Sequence, residues 1–230
     1  ASEFPILVKL LSTGRLLSVQ VHPDDAAAAR FEGSRFGKRE AWVVLDAEPD
    51  AEIYLGLKEG VSTEALCRAA EAGDEASVVA CLRRLTPRRG DVYDITPGTV
   101  HAPGSGLVLY EVQQPVDWTY RLFDWNRKGL DGKPRPLHLE KARAVVDPSS
   151  RPESLRADRP GAGPLVKTPY FTLDRVRTDG EAVLSGGILR VVTCVDGRGF
   201  LSADGAPEAS LLPGRTCVVL RDAKNVRLRG

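Results

Sequence analysis

The sequence predicts a mainly β protein, a sandwich or jelly roll with a helical insertion. Three observations lead there. Short aliphatic and aromatic runs of strand length recur along the 230 residues, separated by turn-forming residues. Residues 61–86 depart from this and show a helical period. Residues 16–25, Leu-Leu-Ser-Val-Gln-Val-His-Pro-Asp-Asp, alternate, so that Ser18, Gln20 and His22 share one face of a strand while Leu17, Val19 and Val21 share the other. Such a strand lines a pocket: its aliphatic face enters a core, and its hydroxyl, amide and imidazole face a cavity.

In chain order, residues 4–11 form a continuous apolar run that Ser-Thr-Gly-Arg separates from the strand at 16–21, which reads as a hairpin. Pro23 ends that strand. Asp24 or Asp25 caps a short helix to about Phe31, and residues 41–45 and 53–57 are further strands of a meander. Within the insertion, Ala65, Leu66, Ala69 and Ala70 share one helical face after a Ser62 or Thr63 cap. Val78, Val79, Cys81, Leu82 and Leu85 share another after Asp74. Strands resume at 92–95, 107–113 and 119–123, and residues 139–146, following His138, read as a short helix. The expected organisation is a first domain over 1–147, a linker over 148–165 rich in Pro, Ser, Arg and Gly, and a second β portion over 166–230. That last portion contains no histidine and carries candidate strands at 171–177, 182–184, 189–195, 199–202, 216–220 and 226–228.

Composition narrows the function. Hydrophobic residues make up 42% and charged residues 27% of the chain, which fits a soluble globular protein and not a disordered one. A net charge of +1 without a basic tract excludes nucleic acid as the expected partner, and any anion site must be a local cluster. No run reaches the roughly 18 apolar residues of a spanning helix, so no membrane partner and a cytoplasmic setting are expected. Cys67, Cys81, Cys194 and Cys217 show no Cys-x-x-Cys spacing and read as reduced, buried thiols. The chain has no methionine, so Ala1 is not a retained initiator, and the reading allows for a missing N-terminal portion.

The chemistry gathers around three short segments. Residues 16–25 offer Gln20 and His22, Gly37-Lys-Arg-Glu-Ala-Trp42 offers Glu40, and Gly90-Asp-Val-Tyr-Asp-Ile-Thr-Pro-Gly-Thr-Val-His101 offers His101. Two imidazoles, a carboxylate and an amide oxygen suit zinc or a similar divalent ion. Taken singly, each of these histidines would read as a core or surface residue, and Gln20 as a buried amide bonded to backbone.

Gly90, Asp91, Pro97, Gly98 and His101 resemble the second signature of the cupin jelly rolls. Together with Ser18-Val-Gln-Val-His-Pro-Asp-Asp25, Ile53-Tyr-Leu-Gly-Leu-Lys58, Glu111-Val-Gln-Gln114, Tyr120-Arg-Leu-Phe-Asp-Trp125 and Leu137-His-Leu-Glu-Lys-Ala142, the set closely resembles the type I phosphomannose isomerases. These are zinc-dependent cupins that interconvert mannose 6-phosphate and fructose 6-phosphate. The resemblance covers residues 4–146 strongly, and beyond them extends only to general β character, implying a degenerate cupin-like C-terminal part. It implies one zinc ion per chain, held by Gln20, His22, Glu40 and His101. It further implies Arg121, Glu111 and Lys38 as catalytic residues, with Ser18 and Arg127 as phosphate contacts. Two departures stand out. The chain has Thr96-Pro97-Gly98-Thr99 where the family commonly has Pro-Ala-Gly-Thr, and family members usually carry further strands, with a Trp-Gly-Gly turn, ahead of Phe4.

The implied reaction moves a proton between C1 and C2 through an enediol, with Glu111 as candidate base, and its partner is a small sugar phosphate. A monomer is the expected state. Two other readings remain: a sugar-phosphate-binding cupin without turnover, and a metal-dependent isomerase of an unphosphorylated sugar. A three-histidine iron oxygenase fits less well, because Gln20 stands where a histidine would be.

Overall fold

The computed structural model describes residues 4–129, 131–156 and 164–230. Two compact units divide the chain, the first ending at Asp174 and the second running Arg175–Gly230. The first begins with strands β1 (Leu7–Thr13) and β2 (Val19–Val21), helix α1 (Asp25–Glu32), and strands β3 (Glu40–Ala47) and β4 (Ile53–Leu57). Helices α2 (Thr63–Glu71) and α3 (Glu75–Cys81) follow, then β5 (Leu82–Leu85), β6 (Asp91–Ile95), β7 (His101–Pro103), β8 (Leu107–Gln113) and β9 (Tyr120–Phe123). After α4 (Leu139–Val145) come the short strands β10 (Leu155–Arg156), β11 (Val166–Lys167) and β12 (Thr172–Leu173).

Two five-stranded antiparallel sheets, β1-β8-β3-β6-β10 and β5-β4-β7-β2-β9, form the expected jelly roll. Alternation along the strands explains the layers. Trp42, Val44, Tyr93, Ile95 and Leu109 of the first sheet meet Ile53 and Leu55 of the second in one buried core. The opposite face of the second sheet, with Val19, Val21, Ala102 and Leu122, is covered by the helices through Leu66, Val78 and Ala142. The outer face of the first sheet, with Ala41, Val92 and Val112, is covered by Leu165, Val166 and Phe171 around the β11–β12 hairpin.

The helices start where side chains can satisfy the free amides of their first turns. Asp24, Ser62 and Asp74 accept from the amides of Ala27, Ala65 and Ser77 at 2.7, 3.2 and 3.1 Å.

Several expectations need correction. Residues 4–21 do not form a hairpin: β1 pairs with β8, from Leu7↔Gln113 to Thr13↔Leu107, while β2 lies in the other sheet between β7 and β9. A turn signal marks a change of direction but not the partner, and β8 offers β1 seven matched positions. The helical face expected through Leu85 ends at Cys81. Leu82 is extended (φ −90°, ψ 142°) and begins a strand on β4, whose alternation sends Leu82 and Leu85 to opposite faces and into different cores. In the segment expected as linker, Leu155 pairs with Val92, while residues 157–163 lie outside the described residues. The strand expected over 171–177 shrinks to β12, and the first unit extends past residue 166 to include it.

The second unit contains β13 (Glu181–Val183), β14 (Arg190–Thr193), β15 (Gly199–Ser202), β16 (Ala209–Leu211), β17 (Thr216–Val219) and β18 (Arg227–Arg229). They form an antiparallel sheet β13-β18-β15-β16 and a β14-β17 pair, with Leu201, Leu211, Val219 and Val226 at its core. Among the described residues, no helix is long and apolar enough to cross a membrane.

Candidate metal centre

One end of the interior between the two large sheets is polar. Gln20 on β2 lies between His101 on β7 and Arg121 on β9 in the pairing register, so these three side chains share the inward face of their sheet. Across from them, Glu40 pairs with Gln113 and Trp42 with Glu111, which aligns a second polar row on the facing sheet. The backbone after His22 ties the two loops together. The His22 carbonyl accepts from Gly98 at 3.0 Å and the Pro23 carbonyl from Lys38 at 2.9 Å.

His22, Glu40 and His101 converge, with one ligand atom from each inside a span of 4.8 Å. Each imidazole uses Nδ1 on a backbone carbonyl, His22 on Trp118 and His101 on Thr99, both at 2.9 Å. That bond places the proton on Nδ1 and leaves the Nε2 lone pair facing inward. The two Nε2 atoms lie 3.5 and 3.4 Å from the Glu40 oxygens. His22 Nε2 and both carboxylate oxygens are buried without a hydrogen-bond partner. Burial and the Lys38 charge push His22 down to about 3, and burial lowers His101, so both rings are neutral. Burial works against ionised Glu40, but the Lys38 ammonium, 3.2 Å away, favours it, and the carboxyl lies well below its usual range. Lone pairs converging without a proton between them repel one another, and a divalent cation removes the conflict. The donor set therefore fits a metal ion. Gln20 sits beside it, its Nε2 3.2 Å from His101 Nε2, and a half-turn of the amide exchanges that nitrogen for the oxygen.

Glu111 is buried nearby. Its Oε1 accepts from Lys9 at 2.9 Å and its Oε2 from the Trp42 indole at 2.9 Å. Burial, aided by the Glu40 charge, raises its pKa despite Lys9. Ser18 is buried, with Oγ 3.5 Å from Gln20 Oε1. Arg121 donates from Nη1 to the Pro136 carbonyl at 2.9 Å, and its Nε is buried without a partner. Arg127 donates to Asp124, at 2.7 Å, and to the Leu16 carbonyl, at 2.5 Å. Arg135 also bonds Asp124. Burial and the charges of Arg135 and Arg127 lower the pKa of Arg121, so three guanidiniums gather around one carboxylate. His138 stands at the N-terminus of α4, where its Nδ1 accepts from the Arg121 amide at 3.1 Å.

Sequence reasoning missed Lys9, whose Nζ donates to Glu111 and, at 2.6 Å, to Gln113. The signal was present: a single lysine interrupts the apolar run of residues 4–11. The supporting carbonyl of Trp118 left no such trace, since a backbone acceptor carries no residue type.

Fold and site together define a jelly-roll protein of the cupin class with a buried cluster of His22, Glu40 and His101 that could hold a metal ion. No family model matches the chain. It is 38% identical over 187 residues to "Mannose-6-phosphate isomerase ManA" of Bacillus subtilis, covering 79% of this chain and 58% of that protein. It is 37% identical over 185 residues to the mannose-6-phosphate isomerase of Streptococcus mutans, covering 79% and 57%. The solved mannose 6-phosphate isomerase of Bacillus subtilis superimposes with a TM-score of 0.84 at 28% identity, covering 99% of this chain and 73% of that one. Over most of its length the chain is thus similar to mannose-6-phosphate isomerases. It spans somewhat less than three fifths of the length of these two curated relatives.

Proposed function

We propose that this chain interconverts mannose 6-phosphate and fructose 6-phosphate with one zinc ion held by Gln20, His22, Glu40 and His101. The observation that carries the reading is the convergence of His22, Glu40 and His101, with His22 Nε2 and both Glu40 oxygens lacking a hydrogen-bond partner, in a chain whose curated relatives are named for this reaction. When bound, zinc would supply Lewis acidity toward the sugar oxygens.

The chain's own residues account for the remaining chemistry. Glu111, with its raised pKa, takes the proton from C2 and returns it to C1 of the enediol, while Lys9 and the Trp42 indole hold its carboxylate in place. Lys38 donates to a sugar oxygen, and Arg121, the cross-strand neighbour of Gln20, stabilises the enediolate. Ser18 and Arg127 anchor the phosphate, and the guanidinium excess around Asp124 supports that assignment. The proposed setting is the cytoplasm, consistent with four free cysteines, and the proposed state is a monomer.

Initial rates on mannose 6-phosphate test the proposal, comparing zinc-loaded protein, chelator-treated protein and Arg121→Ala, with free mannose as a second substrate. Chelator-sensitive turnover that Arg121→Ala lowers by about a hundredfold or more is the expected result. Zinc uptake without turnover would leave a binding protein, and faster conversion of free mannose would reassign the substrate.

A further inference from the structure

The loop that delivers Lys38 and Glu40 is held from outside the polar interior. Gly37 lies so close to the backbone after His22 that an added Cβ would be 2.3 Å from the Asp24 carbonyl carbon and 2.6 Å from the Asp25 amide. Asp25 secures this contact: its Oδ1 accepts the Gly37 amide at 2.7 Å and the Gln114 side chain at 3.2 Å. Gln114 in turn accepts the Arg39 amide at 2.9 Å. The second oxygen of Asp25 is occupied from far along the chain, by the Tyr170 hydroxyl at 2.7 Å.

Tyr170 is itself well placed. Thr168 Oγ1 accepts the amides of Tyr170 and Phe171 at 3.0 and 2.9 Å, and Phe171 is buried against the outer face of the first sheet. The hairpin that covers this face therefore sends one phenol to the carboxylate gripping the Gly37 loop. Asp25, Tyr170 and Gly37 all belong to the first unit.

We infer that Tyr170 and Asp25 are positioning residues of the metal centre, setting through Gly37 where Lys38 and Glu40 stand relative to His22. The inference rests on the metal-centre reading above. Outer partners of this kind orient a ligand without touching the ion. Burial raises the pKa of Asp25, but the bonds from Gly37, Tyr170 and Gln114 outweigh it and keep the carboxyl low, while the Tyr170 phenol, pushed up to about 12, remains a donor.

Tyr170→Phe removes only the hydroxyl. Tyr54→Phe is the control: it removes a comparable bond, 3.1 Å to Glu52, that has no link to the Gly37 loop. For both variants and the unsubstituted protein, the zinc dissociation constant is measured by chelator competition, the cobalt-substituted visible spectrum is recorded, and melting is followed. Tyr170→Phe should weaken zinc by about tenfold and alter the cobalt bands, while Tyr54→Phe, with a similar melting loss, changes neither. A zinc constant within about twofold of the parent in Tyr170→Phe, or equal weakening in both variants, overturns the inference and leaves the metal centre standing. Failure of the unsubstituted protein to bind zinc or cobalt overturns both.

Discussion

The interior between the large sheets has two ends built on the same strands and equally shielded from water, yet filled with opposite chemistry. At one end Val44, Ile53, Leu107 and Leu109 are at most 1% exposed, and at the other His22, Glu40 and His101 are at most 1% exposed as well. Along β8 the change takes two residues, from Leu109 to Glu111 on the same face. Burial therefore says little about role. The apolar end gains stability from every side chain it hides, whereas the polar end bears desolvation costs that hydrogen bonds and opposing charges only partly offset. One end holds the fold together, and the other is carried by it.

Exchanging the ends' properties tests this contrast. The largest expected effect comes from His101→Gln, which removes one of the converging ligands. Zinc uptake should be lost and turnover should fall by about a thousandfold, while the metal-free protein melts close to the parent. Metal analysis and calorimetry on one preparation check both halves. Leu109→Ala at the other end should do the reverse, costing about 2–5 kcal/mol in denaturant unfolding with zinc affinity of the folded protein unchanged. A loss of affinity there would mean that the two ends are coupled.

The smallest effect concerns the grip on the Gly37 loop. Asp25 is held below its ordinary value of 3.8, so its folded-state pKa is depressed and its contribution to stability is present above that pH and lost as pH falls through the folded value. Asp25→Asn should thus lower the melting temperature at neutral pH, with the gap to the parent closing below about pH 3.8. A gap that stays constant through this range would show that the carboxylate charge is not what holds the loop.

Much of the first unit was legible before its structure. Strand alternation put Ser18, Gln20 and His22 on one face, and the caps at Asp24, Ser62 and Asp74 began helices where expected. The segments carrying Glu40 and His101 do meet the one carrying His22. Less was legible where partners are remote. β1 and β2 read as a hairpin and lie in different sheets, and Leu82–Leu85 reads as helix and pairs as strand. Lys9 was overlooked because an apolar run with one charge still reads as a strand. The family resemblance implies Arg127 as a phosphate contact, and the structure shows that Asp124 and Leu16 also claim it.

The division has a physical reason. Alternation, capping and turn chemistry depend on residues within a few positions of one another, so the order of residues alone determined the mainly β character, the pocket-facing side of residues 18–22 and the types of side chain offered to a metal. Strand pairing depends on which remote segment matches an exposed edge and hides the same face. Tertiary structure therefore decided that β8 and not β2 pairs with β1, that Lys9 reaches Glu111, and that a tyrosine 145 positions from Asp25 closes its hydrogen bonds.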